Sequence, residues 1–137
     1  MFDKPFKVEI ITPERVLFSG DVLSISAPGV EGGFQVLFNH APLLSALEVG
    51  AIKVTPKEGK EFVFATSGGF LEVRQNLVVV LAETAEREGE IDVPRAQAAR
   101  ERAEQRLKSR GKDIDVERVQ YALLRALNRL RIADRAS

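Results

Sequence analysis

"IDVPRAQAARERAEQRLKSR", Ile91 to Arg110, has the composition of a helix and, past Val93, no β-branched residue. Ala, Arg, Glu and Gln are strong helix formers. Asp92 is placed to cap the first turn, and Pro94 costs little there because first-turn amides have no partner inside the helix. The spacing predicts a helix to about Arg110, with Gly111 offering a left-handed end. Along it Arg102, Arg106 and Arg110 recur every four residues, and Arg95 joins the same side seven residues before Arg102. Like charges four apart destabilise a helix by roughly 0.2–0.5 kcal/mol per pair, so the row calls for an explanation.

Toward the C-terminus, Asp115 predicts the cap of a second helix. Val116, Val119, Leu123, Leu127 and Leu130 recur at spacings of three and four, an apolar stripe. Ala96, Ala99, Ala103 and Leu107 form a slimmer stripe on the first helix. A connection of four or five residues favours an antiparallel hairpin. Alanines bury little area, so at about 25 cal/mol per Å² the seam is thin and the hairpin is expected to open or detach.

Toward the N-terminus the pattern changes. "FKVEIITP", "RVLFSG", "DVLSISAPG", "GAIKVTP", "KEFVFATSGG", "FLEVRQN" and "LVVVLAE" are rich in Val, Ile, Phe and Thr, and several alternate in period two. Turn signals recur every 8–12 residues or so, the spacing of antiparallel sandwiches and barrels. The expected organisation is therefore β followed by α: an antiparallel β-sandwich over 1–84, a linker over 85–90 and a two-helix hairpin over 91–137.

Composition narrows the function. The chain has 137 residues and no cysteine, which leaves no disulfide, thiolate nucleophile or cysteine-ligated metal. His40 is the single histidine, and no local signature gives it a serine partner. The glycines of "APGVEGGF" lack the Lys-Ser or Lys-Thr of a phosphate loop, and Glu31 among them would repel phosphate. No calcium loop is present, and none of the scattered acids stands out as half of a glycosidase pair. Catalysis by this chain alone is not expected. The start, "MFDKPFKVEII", lacks the order of a signal peptide, and no apolar run is long enough to cross a bilayer.

A net charge of zero hides an asymmetry. Residues 91–137 carry twelve Lys or Arg against seven Asp or Glu, and the first ninety carry eight against thirteen. Folding the helices antiparallel brings Arg95 and Arg102 toward Arg125 and Arg129. Two readings of these arginines follow from spacing. One is a solvated face partly neutralised by Glu101, Glu104 and Glu117; the other is a polyphosphate site, since guanidinium forks donate paired hydrogen bonds to phosphate oxygens. A nucleic-acid-binding hairpin has thin support, with Tyr121 the single aromatic residue of the basic part.

The stretch "SAPGVEGGFQVLFNHAPLLSALEVGAI", followed by "GGFLEV" and an Ala-Arg-Glu helix, closely resembles the epsilon subunit of bacterial F-type ATP synthases. The resemblance spans nearly the whole chain in order. Gln35 and Phe38 stand where the family often has glycine and proline, both near turns. It implies a sandwich of about ten strands and a non-catalytic subunit of the central rotor stalk. The complex makes ATP from ADP using a transmembrane proton gradient. Implied partners are the gamma subunit and the c-ring for the sandwich, and the beta and alpha subunits for an extended hairpin that inhibits ATP hydrolysis. The implied location is the cytoplasmic face of the bacterial plasma membrane, with membrane association only through the complex and no nucleic acid as partner.

Some members of the family bind ATP as a regulatory ligand on the folded hairpin through the pattern Ile/Leu-Asp-x-x-Arg-Ala. Here that pattern is Ile91, Asp92, Arg95 and Ala96, and position-by-position matching adds Glu86, Arg102, Arg125 and Arg129. The resemblance places Ile91 and Asp92 toward the adenosine end and leaves a requirement for magnesium open. A triphosphate would then relieve the repulsion along the arginine row. In relatives that sense ATP weakly, the same arginines would serve as a docking surface for beta.

Overall fold

Phe6, Val8 and Ile10 are buried while Lys7, Glu9 and Ile11 between them are more open, the period-two signature of a half-buried strand. This is β1, Phe6–Ile11. The structure, a computed structural model, describes residues 4–109 and 113–135. The expected end of the first helix, Arg110 and Gly111, lies outside the described residues.

Eight further strands follow: β2 Val16–Gly29, β3 Gly32–Val36, β4 Leu43–Leu47, β5 Gly50–Pro56, β6 Phe62–Thr66, β7 Gly69–Arg74, β8 Leu77–Ala82 and β9 Ala85–Arg87. β1 pairs antiparallel with the first half of β2 and parallel with β8. From β8 the path runs through β7 and β4 and returns to β2 at Gly29 and Leu47, so it closes on itself. The second half of β2 pairs with β3 and β5, and β6 and β9 extend the β5 side. The register of β2 shifts between Val22 and Ser24. Such irregularities bend a strand, and they let one long strand serve two neighbourhoods. Nine strands are present among the described residues against the ten or so implied by resemblance; dividing β2 at its bend accounts for the difference. Ile25, Ile52, Leu71, Val78 and Val80 fill the core and are fully buried.

Residues 85–90, read from sequence as linker, hold strand β9 and a 3-10 turn over Glu88–Glu90. Thr66, Ala65 and Phe64 of β6 offer a free ladder edge to this short segment. Two helices then follow, α1 Val93–Ser109 and α2 Val116–Arg135. They lie against each other, and α2 also rests on β5 and β6.

That double contact corrects the expected apolar stripe of α2. Val119 is buried as expected, but Val116 and Leu127 are 47% and 44% exposed. The buried residues are Val119, Ala126, Asn128 and Ile132. A helix packed against a helix and a sheet at once must bury a wide arc, and the close approach favours alanine over leucine on the side facing α1. Ile132 joins Val63, Ala65 and Ile91 in a small second core between hairpin and sandwich.

Polar contacts complete the seam. Asn128, 4% exposed, donates from Nδ2 to the Gly50 carbonyl at 2.8 Å, and its Oδ1 accepts from Arg131 at 2.9 Å. Tyr121 donates its hydroxyl to the Ser67 carbonyl. Asn128→Leu takes from the buried Gly50 carbonyl the donor that Asn128 supplies, at a cost of about 1–3 kcal/mol. The expected result is faster amide exchange and proteolysis across α1 and α2, with protection of the sandwich strands unchanged.

Candidate functional site

Asp92 starts α1 as the sequence predicts: its Oδ1 accepts the Arg95 N–H at 3.1 Å and its carbonyl accepts the Ala96 N–H at 3.0 Å. Asp115 does the same for α2, accepting the Arg118 N–H at 3.2 Å. These caps fix where each helix begins and therefore the height at which each arginine leaves it. Asp92→Ala is expected to cost about 1 kcal/mol of helix stability, whereas Asp92→Asn, an equally good cap, should cost almost nothing. Thermal unfolding of the two variants side by side checks this and separates the cap from the charge.

β9 pairs with β6 so that Glu86 stands opposite Ala65. That position puts the Glu86 carboxylate beside α2, where Oε1 accepts from Arg129 Nε at 2.5 Å. The pair is partly shielded, with side chains 27% exposed for Arg129 and 33% for Glu86. Such charge-assisted bonds are stronger than neutral ones. It also fixes the orientation of the guanidinium in the wall of a cleft.

Between α1, the end of α2 and the sandwich lies a cleft of about 530 Å³. Of the eight positions singled out by resemblance, six line it: Glu86, Asp92, Arg95, Ala96, Arg102 and Arg129. Arg125 lies next door, in a groove between the helices that shares Arg102 and Arg129 with the cleft. Its guanidinium sits over the Tyr121 ring, 4.7 Å from the centroid, a cation–π contact that orients it. Ile91 is not among the lining residues; its side chain is 8% exposed and belongs to the second core with Val63 and Ile132. Its part is to anchor the chain just before Asp92.

Sequence reasoning missed the far wall. Thr12, Glu14 and Arg15 of the β1–β2 turn and Leu17 of β2 line the same cleft, as do Glu83 and Thr84. Arg15 pairs with Glu90 at 3.7 Å, tying that turn to the 3-10 turn ahead of α1. No local signal in "TPERVL" marks these residues, because their nearness to α1 comes from the closed strand path.

Four carboxylates and four guanidiniums share the cleft: Glu14, Glu83, Glu86 and Asp92 against Arg15, Arg95, Arg102 and Arg129. A site of this kind suits a ligand that is anionic at one end and a hydrogen-bond donor at the other. Among the described residues no group of His, Asp or Glu has the makings of a metal site, and no helix is long and apolar enough to cross a membrane.

Comparison with known proteins covers both the β part and the helical part of the chain. Residues 5–88 match the family described as the ATP synthase delta/epsilon chain, beta-sandwich domain, and residues 90–134 match its long alpha-helix domain. The ATP synthase epsilon chain of Desulforamulus reducens is 50% identical over 131 residues, which cover 96% of this chain and 98% of that one. The epsilon chain of Syntrophomonas wolfei is 44% identical over 135 residues, with 98% of each covered. Among solved structures, a chain of the Euglena gracilis mitochondrial ATP synthase, in a structure of its OSCP, F1 and c-ring, aligns with a TM-score of 0.75 at 26% identity, covering 96% of this chain and 81% of that chain. A chain from the central stalk and c-ring structure of the Tetrahymena thermophila enzyme shares the fold, with a TM-score of 0.59 at 19% identity over 95% of this chain and 94% of that one. With both of its parts matched in order and relatives similar over nearly their full length, the chain belongs to the ATP synthase epsilon-chain family.

Proposed function

We propose that this protein is a non-catalytic central-stalk subunit of an F-type ATP synthase whose hairpin senses ATP and, when extended, inhibits ATP hydrolysis. The observation that carries the sensing role is the meeting of Glu86, Asp92, Arg95, Arg102 and Arg129 along one cleft between hairpin and sandwich. These residues come from a strand edge and from both helices. A triphosphate seated there accepts hydrogen bonds from arginines on α1 and α2 together, and so holds the hairpin closed. Arg125 reaches the same phosphates from the adjoining groove, and Asp92 and Glu86 offer acceptors to the hydroxyl and amino groups of adenosine. Ile91 supports the site from beneath through its packing.

ATP favours the folded hairpin only to the extent that it binds that state better than the extended one. At a concentration one hundred times Kd, binding to the folded state alone stabilises it by about 2.7 kcal/mol. Abundant ATP thus keeps the hairpin down, and scarcity releases it. Released, the helices present Arg95, Arg102 and their neighbours to an acidic face of beta or alpha, while the sandwich stays with gamma and the c-ring. The placement in the complex draws support from membership of the epsilon-chain family and from the Euglena structure of OSCP, F1 and c-ring, which contains a similar chain. In a bacterium it places the subunit at the cytoplasmic face of the plasma membrane, held there by the complex.

The test is isothermal titration of the full chain with ATP and with ADP, beside solution scattering. Saturable binding that prefers ATP and compacts the chain is expected. No binding at millimolar ATP would overturn the sensor role and leave the arginines as a contact surface for beta.

A further inference from the structure

The groove between the helices extends beyond anything the nucleotide reading uses. It has a volume of about 550 Å³ and runs from Arg102 and Arg129, which it shares with the nucleotide cleft, toward the interhelical turn at Asp113 and Asp115. On the way it is lined by Arg106 of α1 and Arg118 of α2. Both are exposed, and among the described residues neither guanidinium has a carboxylate within ion-pair distance. The arginines thus fall in steps along the antiparallel hairpin: Arg95 and Arg129 toward the start of α1, then Arg102 and Arg125, then Arg106 and Arg118 toward the interhelical turn. A triphosphate whose adenosine lies at Asp92 answers the first four. It leaves the last two, both lining the same groove, without a phosphate.

We infer that the groove takes a phosphate chain longer than a triphosphate, either as a nucleoside tetraphosphate or as a short linear polyphosphate. Arg106 lies one helical turn beyond Arg102, about 6 Å along the axis, which accommodates one or two further phosphate groups. Repulsion between neighbouring guanidiniums is relieved by each added phosphate, and each guanidinium fork can give it paired charge-assisted hydrogen bonds. The carboxylates of Asp113 and Asp115 stand at the far end and repel anions, so they set where the chain must stop. The inference rests on the nucleotide reading only for the direction in which the chain lies; the groove and its two additional arginines stand without it.

The test is calorimetric titration of the full chain with ATP, adenosine tetraphosphate, inorganic tripolyphosphate and inorganic tetraphosphate, repeated on the Arg106→Gln/Arg118→Gln double variant. The substitutions relieve like-charge crowding, so the hairpin should fold at least as well as before. The fourth phosphate is expected to tighten binding about tenfold, with the gain lost in the double variant and ATP affinity unchanged. A gain confined to the adenosine series assigns the groove to nucleotides, and one confined to the inorganic series assigns it to free polyphosphate. Equal affinity for three and four phosphates, or a gain that survives the double substitution, overturns the inference while leaving ATP sensing intact. Binding of tetraphosphate without any binding of ATP, lost in the double variant, sinks the nucleotide reading and leaves this one standing.

Discussion

Arg129→Ala is expected to weaken ATP binding about a hundredfold, the largest loss among the single arginines of the cleft. Two effects act in the same direction. The substitution removes a guanidinium that a phosphate can engage, and a hydrogen bond to a charged group is worth about 1.5–3 kcal/mol, or tenfold to a hundredfold in affinity. It also strips Glu86 of its partner, since Arg129 Nε donates to Glu86 Oε1 at 2.5 Å. The freed carboxylate, 33% exposed and lining the cleft, then repels the incoming phosphate. Adding Glu86→Gln to Arg129→Ala should therefore restore part of the affinity, an interaction that a double-mutant cycle measures directly. Titration with ATP of the two single variants and the double variant decides the matter. A loss below about threefold for Arg129→Ala would remove this residue from the site.

Gly69→Ala is expected to destabilise the sandwich by about 3 kcal/mol or more, because two penalties coincide there. Gly69 has φ +140°, a conformation that side chains rarely adopt, and a Cβ at this position would lie 2.1 Å from the Leu81 carbonyl oxygen. β7 and β8 cannot part to make room without breaking the ladder in which Gly69 pairs with Ala82. Gly59 provides the control: its φ is also positive, at +100°, but a Cβ there meets nothing within 4 Å. Gly59→Ala should thus cost only the backbone term, about 1–2 kcal/mol. Urea unfolding midpoints give both numbers. Equal losses at the two positions would show that the contact with Leu81 contributes nothing.

The division into a β part and an α part was legible because both signals are local. Alternation such as that of Phe6, Val8 and Ile10 reports on neighbours two residues apart, and helical spacing on neighbours three or four apart. Caps are local as well, which is why Asp92 and Asp115 could be assigned from a single turn of chain and are engaged as hydrogen-bond acceptors in the structure. Which way α2 turns its apolar residues was not legible. Periodicity finds a stripe through Val116 and Leu127, but the helix has two supports, and the sheet claims Asn128 and Ile132 instead.

The arginine row and the family pattern around Asp92 were determined by sequence alone, since one helix carries Arg95, Ala96 and Arg102 at spacings that any helix preserves. What only the tertiary structure decided is what stands opposite them. Glu86 reaches Arg129 because β9 joins the edge of β6, and Arg15 reaches the cleft because β1 and β2 lie within a closed strand path. Ile91, inside the same short motif as Asp92, turns instead into the core between hairpin and sandwich. These placements depend on strand pairings between residues far apart in the chain, and no local propensity encodes such pairings; they follow from which distant apolar faces must be covered together.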